Sequence, residues 1–399
     1  MKGSILLVAI FSLLLLVIPM GALRATGTQG QSATDSKAEE TTPAPSAIAE
    51  NDSVPITSTL PRDIPSATAG AAPAGENKNE DKDENNDKDG DTEEITIVAV
   101  AEPAAAVQGV LSFRVLNTAT GRVEEVPLRD YVRGAVAAEM PVTFHAEALK
   151  AQAVAAHTYA LYQHYFQQKN PDPALKGADF AADPANRKGY ATEEAARVFY
   201  GTDYADAYWA RICAAADSAL PYVMAYEEQP IVAAYHAMSA GQTEAAENVW
   251  LGGTEYLVQA QSEWDALAPD YETRRVFPVQ QMRALVLAAQ PDSDLSGDPA
   301  AWFAQPVYSP SGYLMQMDVG GITLHGKDIR AIFSLRSHHM DISYDASTES
   351  FTFTVRGYGH GVGLSQYGAD YLARQGYSFD EILAHYYHGI GISSIEAIE

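Results

Sequence analysis

The chain has 399 residues, a single cysteine and a formal net charge of −26. So acidic a body repels phosphate backbones, which removes nucleic acid as a partner. With Cys213 alone, an internal disulfide, a cysteine-rich zinc cluster and a cysteine-paired redox site are all excluded.

In chain order, the apolar run from Ile5 to Leu23, preceded by Lys2, is long enough to cross a bilayer as a helix, with everything after Arg24 outside. A cleaved signal peptide is the alternative, because Gly21, Ala22 and Ala25 are small enough for a peptidase. Residues 24–107 hold 17 acids and 6 bases among Ala, Ser, Thr and Pro, with no sustained apolar period. Such a segment cannot bury enough surface to offset chain entropy, so a disordered acidic linker is expected. The stretch Asn85 to Asp91 is like the start of a calcium loop, but Thr96 stands where the bidentate glutamate belongs, which leaves a solvated spacer. Residues 108–399 remain for the folded domain.

Within it, Val110 to Val115 and Val123 to Val126 flank Asn117 to Gly121, a hairpin signal. From Leu128 to Met140 the period becomes helical, and Val132, Val136 and Glu139 fall on one stripe. Pro141 ends that helix, since the residue before a proline is pushed out of helical geometry. A glutamate on an apolar stripe is costly unless it is neutral, paired or catalytic, so its pKa should rise; an ion pair with Lys150 or another base is the structural alternative. A second helix, roughly 144–167, puts Leu149, Ala153, Ala156 and Ala160 on a packing face and Lys150, Val154, His157 and Leu161 beside it. Ile231 to His236 reads as a buried strand delivering His236 to the polar loop Ser239 to Glu244, where Gly241 and Thr243 suggest a site wall. A helix over Val279 to Ala289, a hairpin turning at Gly320 and Gly321, a strand at Phe351 to Val355 and a closing helix at Asp380 to Tyr387 follow. Between the last two, Gly357-Tyr-Gly-His-Gly-Val-Gly363 alternates glycine before Ser365, Gln366 and Tyr367. Glycine at every second position strips side chains from a strand-like segment, so a polymer could lie against Gly359, Gly361, Gly363 and His360.

Four blocks now carry a resemblance: Asp130-Tyr-Val-Arg-Gly-Ala-Val-Ala-Ala-Glu-Met-Pro141; Glu147 to Ala156 with Thr158-Tyr159; Tyr235 to Glu244 with Asn248-Val-Trp250; and the glycine block, with a similar ending at Ile382 to Gly389. The chain resembles the stage II sporulation protein D family, the SpoIID/LytB domain, over residues 108–399. The resemblance implies an α+β fold: a single SpoIID-type catalytic domain with a small inserted α/β subdomain, after an N-terminal transmembrane helix and linker. It also implies a membrane-anchored lytic transglycosylase acting on peptidoglycan glycan strands during engulfment, outside the membrane of a sporulating cell, with a companion amidase and other membrane sporulation proteins as partners. In that family the glutamate of Ala-Glu-Met-Pro is the catalytic acid, here Glu139, the residue the periodicity also singles out. One carboxyl would protonate the glycosidic oxygen and then deprotonate the muramic C6 hydroxyl, whereas a two-carboxylate hydrolase needs a second acid. Lys150, His157, His236, Ser239, Gly241, Thr243, Ser365, Gln366 and Tyr367, with the glycines and His360, are the expected sugar-binding set. Two departures stand out: His157 occupies the family's usual arginine position, and no cysteine lies near the His236 loop, so neither metal nor other cofactor is expected.

A non-catalytic glycan-binding or amidase-enhancing module is the rival reading. A metal hydrolase built on histidines such as His385 and His388 matches no strong motif. Gly363-Leu-Ser-Gln-Tyr lacks the second glycine of a serine-hydrolase elbow.

Overall fold

The computed structural model describes residues 110–250 and 254–395. The expected anchor at 1–23 and linker at 24–107 lie outside the described residues.

The predicted opening hairpin is present: β1 (Ser112–Asn117) runs antiparallel to β2 (Arg122–Pro127), and the Asn117 side-chain oxygen accepts from the amides of Ala119 and Thr120 to hold the turn. Helix α1 (Leu128–Glu139) then ends as Pro141 requires, with Met140 already extended. Helix α2 (Ala146–Lys169) departs from expectation. Rather than one packing face it is buried nearly all round, with Ala148, Ala151, Ala153, Val154, Ala155 and Ala156 at 0–1 % exposure. A helix that is apolar on every side belongs in an interior. Its alanines let α1 and later helices approach closely. Leu149 and Leu161, both fully buried, contribute about 2–3 kcal/mol each.

Strand β3 (Phe180–Ala182) pairs parallel with β1, completing a sheet of order β2-β1-β3. Two helices follow, α3 (Glu193–Tyr200), capped by Thr192, and α4 (Ala205–Ala219), which packs on α1 and α2. Arg133 of α1 fixes Asp217 of α4 through two hydrogen bonds of 2.8 and 2.5 Å. The chain continues through β4 (Tyr222–Tyr226) and β5 (Gln229–Pro230). The buried strand expected over 231–236 shrinks to β6 (Tyr235–His236), because the Ala234 amide donates to Val232 and bends the run.

After α5 (Ala246–Val249), residues 272–356 build a second hydrophobic core. Its elements are β7 (Glu272–Pro278), α6 (Val279–Ala289), β8 (Phe303–Tyr308), β9 (Leu314–Val319), β10 (Ile322–His325), α7 (Gly326–Ile332), β11 (Met340–Asp345) and β12 (Ser350–Arg356). They form two antiparallel sheets, β10-β9-β8 and β11-β12-β7. Phe277, Phe333, Phe351 and Phe353 interlock between them, with Phe333 and Phe353 at 4.8 Å. The chain returns through the glycine block to β13 (Leu364–Ser365), parallel to β6, then to α8 (Gln366–Arg374) and α9 (Phe379–Tyr386) on α2. Strand β14 (Gly391–Ser394) closes the sheet β14-β4-β5. The described residues are thus mixed α and β. Among them no helix is long and apolar enough to cross a membrane.

Candidate active site

Glu139 is the last residue of α1, and its side chain enters a cavity of about 50 Å³ lined by Tyr131, Tyr159, Gln163, Phe180, Gly189 and Tyr235 among others. Part of its surface stays open to the cavity, yet protein atoms crowd the carboxyl on all sides. Among the described residues no hydrogen bond or ion pair reaches that carboxyl. Burial therefore dominates, pushing its pKa up to about 7, and the positive charge of Arg187 opposes the rise. Among the described residues Glu139 is the one carboxyl lining the cavity.

The tyrosines around it are raised too. Burial and the Glu139 charge together lift Tyr131 and Tyr235, and burial pushes Tyr159 up to about 12. They remain neutral phenols, donors next to a carboxyl that can be either acid or base.

Arg187 completes the arrangement. It ends a short 3-10 turn, Pro184–Asn186, with φ at 56°, and its Nη2 donates to the carbonyls of Ala137 at 2.9 Å and Ala138 at 3.4 Å. Those carbonyls belong to the last turn of α1, whose partial negative charge favours a cation. On its other side the guanidinium lies 3.5 Å from the centre of the Phe199 ring.

The expected sugar-binding residues take varied places. Lys150 stands 3.8 Å from the Phe379 ring centre and 5.2 Å from that of Tyr222, so it is not the partner of Glu139. His157 is fully buried on α2, and desolvation lowers its pKa to about 4. That corrects the expectation of substrate contact: a neutral imidazole suits an interior in which an arginine would bury a fixed charge. Ser239, Thr243 and Ser365 are likewise at 0 % exposure and serve the framework. Thr243 accepts from the Ala260 amide at 2.8 Å, while Asp265 accepts from the Ser239 amide at 2.7 Å and from the Ser365 hydroxyl at 2.8 and 2.9 Å. Gln366 is buried and donates to Gln152 of α2 at 3.2 Å. Gly241 and Tyr367 keep some surface, with the Tyr367 ring edge-on to Phe144 at 4.9 Å.

The glycine block corrects a second expectation. It is no extended strand: Gly357, Gly359, Gly361 and Gly363 all have φ between 70° and 118°. Their missing side chains make room for the protein itself. A Cβ on Gly361 would meet the Tyr313 hydroxyl at 2.6 Å, one on Gly363 the Ala234 carbonyl at 2.1 Å, and one on Gly359 the His236 Cβ at 2.6 Å. The block is laced to residues 234–244 by backbone bonds, Leu364 to Ala234 at 3.1 Å and Glu244 to Gly361 at 2.7 Å. His236 is buried with Nδ1 3.1 Å from the Val362 carbonyl, and its ring centre is 5.7 Å from that of the partly exposed His360. Burial lowers both imidazole pKa values, that of His236 to about 4. Among the described residues no group of three or more His, Cys, Asp or Glu is placed to hold a metal ion.

This lacing reaches the cavity at one residue, Tyr235, which pairs with Leu364 and faces Glu139. Sequence reasoning missed Tyr131, Tyr159, Gln163, Tyr235 and Arg187 as candidate site residues. Tyr131 lies eight positions before Glu139, about 80° round the helix and so on the neighbouring edge of its apolar face, a signal that periodicity contains. Arg187 has no comparable signal.

A family model described as Stage II sporulation protein matches residues 117–226. The chain is 35 % identical over 300 residues to Stage II sporulation protein D of Bacillus amyloliquefaciens, covering 74 % of this chain and 83 % of that protein. It is 33 % identical over 287 residues to Stage II sporulation protein D of Bacillus subtilis (strain 168), covering 72 % and 80 % respectively. Similarity is lower to the Amidase enhancer of Bacillus subtilis (strain 168), 24 % identical over 311 residues, covering 66 % of this chain and 40 % of that protein. The chain belongs to the stage II sporulation protein D family.

Proposed function

We propose that this protein is a peptidoglycan lytic transglycosylase that cuts glycan strands during sporulation. The observation that carries the reading is Glu139: one crowded carboxyl, unpaired among the described residues, with a pKa near 7 and neutral phenols around it. A group poised near the working pH can give a proton and take one back. Protonated Glu139 donates to the oxygen joining N-acetylmuramic acid to N-acetylglucosamine as the bond to muramic C1 breaks. The resulting carboxylate removes the proton of the muramic C6 hydroxyl, and O6 bonds to C1. The product carries a 1,6-anhydro ring, no water is consumed and Glu139 ends protonated. A hydrolase would need a second carboxyl within about 5–9.5 Å, and among the described residues the cavity lining supplies none.

In this reading residues 1–23 anchor the protein in the membrane or direct its export, residues 24–107 are the spacer, and residues 108–399 work outside the membrane. A companion amidase would strip stem peptides, in keeping with the name of the more distant relative. No cofactor takes part.

Mass spectrometry of products tests the chemistry. With peptide-free glycan strands the protein should release anhydro-ended fragments, and Glu139→Gln should bind strands yet release none. Fragments heavier by one water, or equal release by the variant, would overturn the reading. Binding without release by the unaltered protein would make it a glycan-binding module.

A further inference from the structure

A cavity of about 50 Å³ is far smaller than the roughly 300–1,000 Å³ that hold a drug-sized ligand. It can admit the atoms around one bond, so the rest of a polymer must lie on the surface leading to it. One surface begins inside the cavity. Tyr159 is part of the cavity wall, and Tyr162 and Phe166 follow it at i+3 and i+7, along one face of α2. The Tyr159 and Tyr162 rings are near parallel, 6.5 Å apart at 17°, and those of Tyr162 and Phe166 are 5.9 Å apart at 23°. All three keep part of their surface exposed, although α2 is otherwise buried over most of its length. Gln163, also in the cavity wall, donates to the Tyr159 hydroxyl at 3.4 Å and helps hold the first ring.

We propose that Tyr159, Tyr162 and Phe166 form a stacking track that carries the sugar rings of the glycan strand beside the bond presented to Glu139. The proposal rests on the glycan-cleaving reading and deepens it by naming where the strand lies. Pyranose rings have an apolar C–H face that packs on an aromatic face, and the hydroxyls at their rim remain in water. Parallel aromatic rings in a row suit a repeating chain of such rings. Continuity with the cavity favours the polymer over a protein partner.

The test measures strand binding by the full chain carrying Glu139→Gln, so that cleavage does not enter. Against that background, Tyr162→Leu with Phe166→Leu keeps apolar bulk and removes both ring faces. Affinity for long peptide-free strands should fall about tenfold or more, binding of a single disaccharide should be unchanged, and Tyr162→Phe should retain long-strand affinity. Tyr204→Ser, in a separate exposed aromatic cluster before α4, should have no effect. Equal long-strand affinity in the leucine double variant, or an equal loss in Tyr204→Ser, would overturn the track. Should the double variant unfold, loss of long-strand affinity in the folded Tyr162→Phe chain, whose ring face is intact, would overturn it as well. A protein that binds strands through these rings yet yields no anhydro products would sink the transglycosylase and leave the track standing.

Discussion

Glu139 owes its character to what surrounds it more than to any partner. The helix brings it to the end of α1, and the tyrosine-lined cavity denies its charge the solvation that an ordinary glutamate has. Arg187 is the counterweight, holding the carbonyls of Ala137 and Ala138 while its charge partly restores the ionised form. The other titratable groups facing this carboxyl are the phenols of Tyr131, Tyr159 and Tyr235, from α1, α2 and β6. Replacing the cation by Arg187→Gln should therefore raise the Glu139 pKa further. In the proposed reaction the free enzyme needs the protonated acid, so the limb at which kcat/KM falls with rising pH should move upward, by about one pH unit. A pH–rate profile whose upper limb stays in place would remove Arg187 from this role.

At the scale of elements, the glycine block is a fastening between the returning chain and residues 234–244. Gly363→Ala would place a Cβ 2.1 Å from the Ala234 carbonyl at a φ of 70°. Urea unfolding should register a loss of about 2 kcal/mol or more, and an unchanged midpoint would contradict the packing role. This block shows where sequence reading falls short. Alternating glycine says that something comes close, and only the fold says that the neighbours are Tyr313, His236 and Ala234 rather than a ligand. Helix α1 was legible because Pro141 stops it and Glu139 interrupts an apolar stripe, and the hairpin at Gly320 and Gly321 and helix α6 were legible from period and turn chemistry. Helix α2 was legible as a helix but not as a buried core element, since a run rich in alanine has little amphipathic contrast. That hid the interior placement of His157. Arg187 escaped because its role depends on a left-handed turn 48 positions beyond Glu139 that folds back on α1.

For the whole molecule, buried imidazoles set the acid limit. His157 and His236 have pKa values lowered to about 4 and His338 to about 3, mainly by desolvation, and His339, His360 and His385 are lowered as well. A free histidine titrates near 6.5. As pH falls from 6.5 towards 4 the unfolded chain takes up protons that the native interior refuses, so stability declines through this window. Glu139 and Asp265, raised to about 7 and 6, act in the opposite sense, because their folded forms hold protons more readily than the unfolded chain. Six lowered histidines against two raised carboxyls leave a net loss of stability by pH 4, drawn from the roughly 5–15 kcal/mol that stabilises a typical domain. Circular dichroism should show cooperative unfolding between about pH 4 and 5.5, and a fold equally stable at pH 4 and 7 would contradict these burials.

The catalytic reading depends on Glu139 sharing its proton near neutrality. Carbon-13 NMR titration of the glutamate side-chain carboxyls, with Glu139→Gln identifying the resonance, measures this directly. The account predicts a midpoint near pH 7 for that one signal; a midpoint near 4.5, where an ordinary glutamate titrates, would contradict it.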